Sequence, residues 1–398
     1  MADTAHTTKE QMEEIEEDLA DIEQKGRQLA QLIRDAHHFV AFTGAGISTS
    51  AGIPDFRGPE GVWTLRASGG TRTSATTSTL KAIPTFTHMA LLSLQQAGLL
   101  KHLISQNTDG LHRRSGIDVA HFSELHGNSN LERCERCGKE FLRDGRVRNA
   151  HGVHEHHTGR KCVCGGGLLD TIINFGENLP EKHITSGFEN ARQADLCLCL
   201  GSSLTVSPAC DMPLEVARHG GKLVICNLQR TPLDREATLR IHGKCDSLMR
   251  VVMRELGMVP PVFELSRHIR VTTKLHPTRT LAVTAVDADG TPATLFRRVD
   301  FTTGARWSAS KDVEPFRCPV PATVERVQVT IHWMGNYEEP PFELVHPLTA
   351  EGTVQMDLRY NPFRRLWHKE SEALPAPVPL AAASPTPGPA SSLPPEGP

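Results

Sequence analysis

The sequence lacks an excess of charge of either sign, and it lacks any long apolar run. Its 43 Lys and Arg residues are balanced by 46 Asp and Glu residues, which leaves a net charge of −3. No basic field therefore covers the whole chain, and no direct nucleic-acid patch is evident. No apolar run approaches the roughly 20 residues of a membrane helix, so we expect no membrane partner. Residues 1–6 lack the features of a secretory signal or a transit peptide, which leads us to expect the cytosol or the nucleus.

In such a reducing compartment, the ten cysteines are first considered as metal ligands or buried apolar residues. Cys134 and Cys137 are three residues apart and precede a glycine, which is the spacing of a zinc knuckle. Cys162 and Cys164 would complete the site, although their spacing is one residue shorter. Residues 134–170 are polar and rich in Gly and His, so we predict that one structural Zn²⁺ holds this coreless segment together. Four nearby histidines are the alternatives to Cys162 as a ligand: His151, His154, His156 and His157.

Short apolar runs alternate with helix-length segments through much of the chain. The runs are apolar on both faces, and they lie at residues 39–42, 103–104, 196–200 and 223–226. The helix-length segments include residues 89–100 and 233–256. This pattern predicts an α/β fold with a doubly wound parallel sheet covered by helices. The cysteines within the runs, Cys197, Cys199 and Cys226, are expected in the core.

The two ends of the chain have a different texture. Residues 1–27 are acidic with an apolar stripe, which predicts a helix packed on the next domain and broken or frayed near Gly26. An acidic partner arm is the alternative. Residues 263–365 alternate apolar and polar side chains, as in residues 327–333, which predicts a separate small β-sandwich. Residues 371–398 are rich in Pro, Ala and Ser, so we predict a disordered tail.

The first apolar run leads into a glycine-rich turn whose backbone amides could cradle a pyrophosphate. A plain tight turn is the alternative. Thr49 replaces the third glycine of the dinucleotide fingerprint, and no acidic residue ends a second strand about 20 residues later, as it does in dehydrogenases. The Gly- and Pro-broken loop that follows could close over a ligand or form a surface turn. It carries Asp55, Phe56, Arg57 and Trp63.

Two further segments offer polar side chains after apolar runs. Gln106, Asn107 and Asp109 follow the second run, at the edge where open α/β sheets bind ligands. Their amide and carboxylate groups suit a carboxamide, although Asn and Asp are also common turn formers. His126 lies between small and polar residues, where it could be a general base or a satisfied structural histidine.

Together these motifs resemble the sirtuins, a family of NAD-dependent protein lysine deacylases. The motifs are Gly44-Ala45-Gly46-Ile47-Ser48, Ile53-Pro54-Asp55-Phe56-Arg57, Gln106-Asn107-x-Asp109-Gly110-Leu111-His112, Glu124-Leu125-His126-Gly127-Asn128, Gly201-Ser202-Ser203 and Asn227-Leu228-Gln229. Further stretches resemble the class IV branch, which holds the sixth and seventh vertebrate sirtuins: Gly58-Pro59-x-Gly61-Val62-Trp63-Thr64, Asp170-Thr171-Ile172 and Leu239-Arg240-Ile241-His242-Gly243. The resemblance covers residues 28–256, about 58% of the chain.

The resemblance implies a Rossmann-like catalytic domain at residues 28–260 with a zinc-binding insert at about 130–172. NAD⁺ would be a consumed co-substrate, with the acyl group transferred to ADP-ribose and nicotinamide released. Asn107 and Asp109 would hold nicotinamide, and His126 would deprotonate a ribose hydroxyl as general base. The residues implied to bind NAD⁺ are Gly44, Ala45, Gly46, Ser48, Thr49, Asp55, Phe56, Arg57, Trp63, Gln106, Gly201, Ser202, Ser203, Asn227, Leu228, Gln229 and Cys245.

Two other functions stay open. The activated ribose could be attacked by a protein side chain, which would make the chain a protein mono-ADP-ribosyltransferase, or the chain could be a zinc-bearing chromatin scaffold. The resemblance implies acylated lysines in proteins, such as histone tails, as substrates, with chromatin association and a nuclear location. A cytoplasmic location is the alternative. Residues 263–365 are expected to recruit or position partners without performing the chemistry.

Overall fold

The computed structural model describes residues 12–148, 152–286, 292–304 and 307–369. The predicted tail at 371–398 and His151 therefore lie outside the described residues. Helices and strands alternate up to residue 260: α1 Leu19–Asp35, β1 Phe39–Thr43, α2 Val62–Ser68, α3 Phe86–Gln96, β2 Leu100–Ser105, α4 Leu111–Ser115, β3 Phe122–Glu124, β4 Leu131–Cys134, β5 Glu140–Arg143, β6 His157–Lys161, β7 Gly167–Asp170, α5 Glu181–Gln193, β8 Leu196–Leu200, α6 Asp211–Arg218, β9 Lys222–Cys226, β10 Leu239–Ile241 and α7 Cys245–Glu255.

Beyond residue 260 the described elements are strands: β11 Leu265–Lys274, β12 Thr280–Val286, β13 Pro292–Thr294, β14 Phe296–Thr302, β15 Ser308–Lys311, β16 Arg317–Pro319, β17 Arg326–Trp333, β18 Phe342–Pro347, β19 Gly352–Asn361 and β20 Leu366–Lys369. Within the described ranges, no helix combines the length and apolar character needed to cross a bilayer.

A six-stranded parallel sheet forms the centre of the large domain, which confirms the predicted α/β fold. The strand order is β10-β9-β8-β1-β2-β3, and the residues of β1 and β8 are all buried. Two predicted boundaries are wrong. Gly98, at φ 70°, follows the end of α3, so Leu100 begins β2 rather than ending a helix. The segment 233–256 is divided by Gly243 into β10 and α7, because the β10 strand pairs with β9.

Helix α1 runs unbroken through Gly26, contrary to the predicted break. A Cβ at Gly26 would lie 2.5 Å from Val251 Cγ1 of α7, so the glycine allows close packing of the two helices. The helix begins only at Leu19, with the Asp18 side chain accepting from the Asp21 amide. Residues 1–11 of the predicted N-terminal helix lie outside the described residues. Among residues 12–18, the Ile15 amide donates to the Leu228 carbonyl of the large domain (3.0 Å).

The insert contains strands β4 to β7, and its small core consists of Cys134, Phe141, Cys162 and Leu168. Residues 263–369 form two sheets over one apolar core, as predicted for a sandwich. The larger sheet does not end there, because β13 pairs in parallel with β5 of the insert, with Ala293 opposite Leu142. The pairing satisfies backbone groups at two strand edges, so the sandwich is continuous with the insert rather than separate.

Candidate functional site

The segments predicted to bind a ligand meet at the carboxyl ends of the parallel strands. The turn at Gly44 follows β1, Gln106 follows β2, His126 is the second residue after β3, Gly201 follows β8 and Asn227 follows β9. Since parallel strands end at a common edge, five segments far apart in the sequence converge there. This is the edge at which open α/β sheets bind ligands.

Glycines allow the turn after β1 and the segment after β8 to contact each other closely. A Cβ at Gly44 would lie 2.6 Å from the Gly201 carbonyl oxygen, and one at Gly46 would lie 2.7 Å from Gly201 Cα. The Gly46 amide donates to the Gly201 carbonyl at 2.8 Å. Only glycine permits this backbone approach. Beside this contact Ala45 and Ser203 are half-buried and Thr49 is exposed, so the two loops form a shared backbone surface of the kind that a pyrophosphate requires.

Asn107 and Asp109 are buried and held in place by neighbouring loops. Asn107 Nδ2 donates to the Gly44 carbonyl at 3.0 Å. Asp109 Oδ2 accepts from Ser48 Oγ at 2.7 Å, and its Oδ1 accepts from the Leu111 amide at 2.9 Å. Both side chains are thus fixed before any ligand binds, which is the requirement for positioning a substrate.

Gln106 contributes a donor that the described residues leave unused. Its Nε2 is buried and has no hydrogen-bond partner within the described part of the chain. A buried donor of this kind normally has a partner. The unused amide therefore fits a site that takes a polar ligand, and NAD⁺ has the carboxamide, hydroxyl and phosphate groups to meet it.

His126, in the segment after β3, is half-buried against the segment after β2. Its Nδ1 lies 3.0 Å from the Gln106 carbonyl oxygen, and since a carbonyl only accepts, Nδ1 carries the hydrogen and Nε2 keeps its lone pair. Burial lowers the pKa of His126, and the bond to Gln106 opposes the shift in part. The ring is consequently neutral near pH 7 and available as a base.

Gly127 allows the backbone to turn directly after this histidine. It has φ 74°, and a Cβ there would lie 1.7 Å from the Thr171 carbonyl oxygen. No other residue fits, because the neighbour is backbone that cannot rotate away. The His126 loop and the strand exit after β7 are thereby in direct contact.

Three aromatic side chains from the segment after β1 and the segment after β7 contact one another. Phe56 stacks on Trp63 with ring centroids 5.8 Å apart, and Trp63 meets Phe175 at 6.2 Å. Phe56 and Phe175 remain 41% and 45% exposed, which is unusual for large apolar side chains and is typical of a surface that receives a ligand. Phe175 escaped the sequence analysis, and its only signal was its position five residues after Asp170.

Hydrogen bonds at the residues before and after Phe56 hold its loop in place. Asp55 Oδ1 accepts from the Gly58 amide at 3.0 Å, and burial raises the pKa of Asp55. The Arg57 carbonyl accepts from Gln229 Nε2 at 3.1 Å. This bond joins the aromatic loop to the segment after β9.

The remaining predicted residues form the far end of the edge. Asn227 Nδ2 donates to the Gln229 carbonyl at 2.9 Å, and the Leu228 carbonyl accepts from His242 Nδ1 at 3.2 Å. Cys245 begins α7, but its thiol is buried in the core against Cys226, which raises its pKa. The thiol of Cys245 thus packs in the core beside the last residue of β9, next in sequence to Asn227.

The four predicted zinc ligands lie together in the insert. Their sulfur atoms are all within 4.8 Å of one another, with 3.5 Å between Cys134 and Cys164 and 3.7 Å between Cys137 and Cys162. Sulfurs at about 2.3 Å from a tetrahedral Zn²⁺ are separated by roughly 3.8 Å, so the cluster fits one zinc ion. Backbone amide donors lower the pKa of Cys134 to about 7, whereas the neighbouring thiols raise the pKa of Cys137 to about 11.

The histidine alternatives have other partners. His156 lies 3.2 Å from Asp170 Oδ1 and 3.1 Å from Glu177 Oε1, and His157 lies 3.7 Å from Glu135. Cys162 is accordingly the residue positioned as a fourth ligand, because the shorter Cys-x-Cys spacing still brings both sulfurs close to those of Cys134 and Cys137.

Comparison with known proteins shows which proteins this chain is similar to. The sequence profile of the Sir2 family matches residues 71–208. "NAD-dependent protein deacetylase SRT1" of Arabidopsis thaliana is 50% identical over 241 residues, which cover 60% of this chain and 50% of that protein. "NAD-dependent protein deacetylase sirtuin-7" of Bos taurus is 43% identical over 279 residues, covering 66% of this chain and 69% of that protein.

The likeness is partial in both directions. The chain spans only 50% and 59% of the SRT1 proteins of Arabidopsis thaliana and Oryza sativa. Among solved structures, a complex described as "Sir2-p53 peptide-NAD+" is 33% identical, and the match covers 58% of this chain and 98% of that chain with a TM-score of 0.45.

Proposed function

Since this chain belongs to the Sir2 family, we propose that it is an NAD-dependent protein lysine deacylase that transfers the acyl group to ADP-ribose. The observation that carries the proposal is the position of His126. Its Nδ1 is engaged by the Gln106 carbonyl at 3.0 Å, and it stands on the same strand edge as the fixed side chains of Asn107 and Asp109. A pair of anchored polar groups beside a neutral imidazole suits cleavage of a glycosidic bond followed by base catalysis.

NAD⁺, when bound, supplies a ribose carbon that becomes electrophilic as nicotinamide leaves. Asn107 and Asp109 hold the nicotinamide carboxamide, with their orientations set by Gly44 and Ser48. His126 then takes a proton from a ribose hydroxyl at Nε2. Because its pKa is lowered, this base keeps its lone pair at pH values where an ordinary histidine would already be partly protonated.

The substrate would be an acylated lysine in a protein, as for the relatives named as protein deacetylases. The exposed rings of Phe56 and Phe175, with the half-buried Trp63 between them, would provide an apolar entrance next to the NAD⁺ site, which suits the alkyl stem and acyl group of such a lysine. Histone tails and a nuclear, chromatin-associated location extend this proposal. Imaging of the tagged chain and pull-down with acetylated histone peptides test both, and exclusion from the nucleus would contradict the location.

The function is tested by measuring nicotinamide exchange and deacylation side by side in His126→Ala, Asn107→Ala and Asp109→Ala. Deacylation should fall by about 10²–10⁴-fold in His126→Ala, the usual effect of losing a general base. Exchange should fail in the Asn107 and Asp109 variants and persist to a greater extent in His126→Ala, because the base acts after nicotinamide has left.

His121→Ala is the matched control, since this side chain is 60% exposed and stands five residues away in sequence. It should retain both activities. Near-normal deacylation in His126→Ala would exclude the base role, and equal loss of exchange in all three variants would contradict the separation of steps. Labelled NAD⁺ that marks protein instead of a small acyl-ADP-ribose product would favour the mono-ADP-ribosyltransferase alternative.

A further inference from the structure

Tyr337 extends from the C-terminal β-region to the underside of the Asp109 loop. It lies between β17 and β18, well outside the stretch that matches the Sir2 profile. Its ring is buried in an apolar cluster with Met89 and Leu92 of α3 and Phe263. Because the Tyr337 ring is buried between the C-terminal region and the large domain, this contact is part of the folded structure.

The Tyr337 hydroxyl forms two hydrogen bonds in this position. It accepts from Arg114 Nη1 at 2.8 Å and donates to the Ala82 carbonyl at 2.9 Å. Arg114 in turn donates from Nη2 to the Asp109 carbonyl at 2.8 Å, and its Nη1, which contacts Tyr337, also donates to the Thr79 carbonyl at 2.6 Å. A continuous chain of three residues therefore joins the C-terminal region to the backbone of a residue assigned to the nicotinamide site.

The backbone at this point is sensitive to such a contact. Gly110 follows Asp109 at φ 76°, so the Asp109 carbonyl marks a sharp turn, and the carboxylate on its other side must still meet Ser48. The hydrogen bond from Arg114 fixes the position of this carbonyl. Displacement of a positioned group by about 1 Å can cost roughly 10²-fold in rate.

The segment that carries Tyr337 is itself anchored to the insert. The Tyr337 amide donates to Glu339 Oε2 at 2.9 Å, and Glu339 pairs with the buried Arg267 at 2.9 Å. Arg267 also pairs with Asp144 of the insert at 3.0 Å. The tyrosine is thus held from the zinc-bearing side of the cleft while it contacts the large domain.

We propose that Tyr337 is a positioning residue for the reaction, which acts through Arg114 to hold the Asp109 loop in its productive conformation. This inference rests on the proposed function for its catalytic consequence, but the mechanical link is a property of the chain alone. It gives the C-terminal region a part in catalysis beyond the recruitment of partners.

The test compares two conservative variants of the full chain, Tyr337→Phe and Tyr360→Phe. These are the only two tyrosines in the sequence, and both are buried in the same cluster. The Tyr360 hydroxyl donates to the carbonyls of Tyr337 and Glu338 at 3.3 Å and does not reach Arg114. Each variant loses one buried hydroxyl, so a general loss of stability affects both.

In Tyr337→Phe we expect kcat/KM for NAD⁺ in nicotinamide exchange to fall about tenfold, the effect of one hydrogen bond with a charged partner. Hydrogen exchange of the amides at residues 107–112 should become several-fold faster. Tyr360→Phe loses two long hydrogen bonds to the Tyr337 and Glu338 carbonyls but keeps the Tyr337 hydroxyl on Arg114, so it should have a clearly smaller effect in both measurements. The double variant Tyr337→Phe/Arg114→Lys should show nicotinamide exchange no slower than Arg114→Lys alone, because both changes remove the hydrogen bond between these two side chains.

Equal hydrogen exchange at residues 107–112 in the two tyrosine variants would overturn the proposal. So would additive effects of Tyr337→Phe and Arg114→Lys, or faster hydrogen exchange with unchanged nicotinamide exchange. If the unmodified chain shows no nicotinamide exchange at all, the proposed function fails, and the hydrogen-exchange comparison still decides whether Tyr337 holds the loop.

Discussion

Lowering the pH from 7.5 to 5 should destabilise this chain, and His88 should account for a measurable part of the loss. His88 is fully buried in the first turn of α3, where its Nδ1 accepts from the Thr85 amide at 3.2 Å in a capping box. Its Nε2 has no hydrogen-bond partner among the residues described. Burial lowers the pKa of His88 from 6.5 to about 3, and the charge of Arg114 adds to the shift.

The sign of the effect follows from the direction of this shift. The unfolded chain takes up a proton at His88 as the pH falls through about 6.5, whereas the folded chain does so only near pH 3. Between these values the unfolded state binds more protons, so the free energy of unfolding decreases as the pH falls. A pH of 5 lies about 1.5 units below the pKa of His88 in the unfolded chain, which corresponds to a loss of about 2 kcal/mol in the free energy of unfolding.

His88→Gln removes this titration while keeping the cap. Glutamine is a usual residue at this position of a capping box, because its side chain can also accept from the N-cap amide. We expect the loss of unfolding free energy between pH 7.5 and pH 5 to be about 2 kcal/mol smaller in the variant than in the unmodified chain. The difference is measured by urea denaturation followed by circular dichroism at both pH values.

His102 provides a second site for the same comparison. Burial lowers the pKa of His102 to about 4, so His102→Gln should reduce the acid sensitivity by a similar amount, about 2 kcal/mol. His88 and His102 have different hydrogen-bond partners, so we expect the effects in the double variant to be roughly additive. If the acid sensitivity of His88→Gln and the unmodified chain is the same, then the buried ring is charged in the folded state or accessible to water, and the reasoning is wrong.

Two further predictions concern the insert and the turn after His126. Cys134→Ser should lose the zinc ion, unfold the insert and abolish activity indirectly; metal analysis and thermal melting measure this, and unchanged zinc content with unchanged melting would contradict it. Gly127→Ala should destabilise the chain by about 3 kcal/mol or more, because of both a positive φ and a clash with the Thr171 carbonyl. Gly138→Ala is its control, since φ is also positive there (69°) but nothing lies within 4 Å of the added Cβ; equal losses of melting temperature in the two variants would refute the clash.

Local patterns were sufficient for much of this protein. The apolar runs at β1, β8 and β9 predicted buried strands, because a strand covered by helices on both faces needs apolar side chains on both faces. The glycine-rich turn and the polar segments after the runs could be placed at one sheet edge, because parallel strands end together. The cysteine pairs predicted a zinc cluster from spacing alone, since a tetrahedral ion accepts few arrangements of nearby thiolates.

Only the tertiary structure decided the features that depend on distant partners. Gly26 reads locally as a helix breaker, yet Val251 on α7 makes it the contact point of two helices. The edge strands β5 and β13 carry no sign in sequence that they pair with each other. Tyr337 contacts Arg114 across 223 positions of the sequence, and the Cys245 thiol packs in the core beside Cys226. Periodicity and spacing report the environment of a residue along its own element, whereas these contacts depend on how separate elements pack against one another.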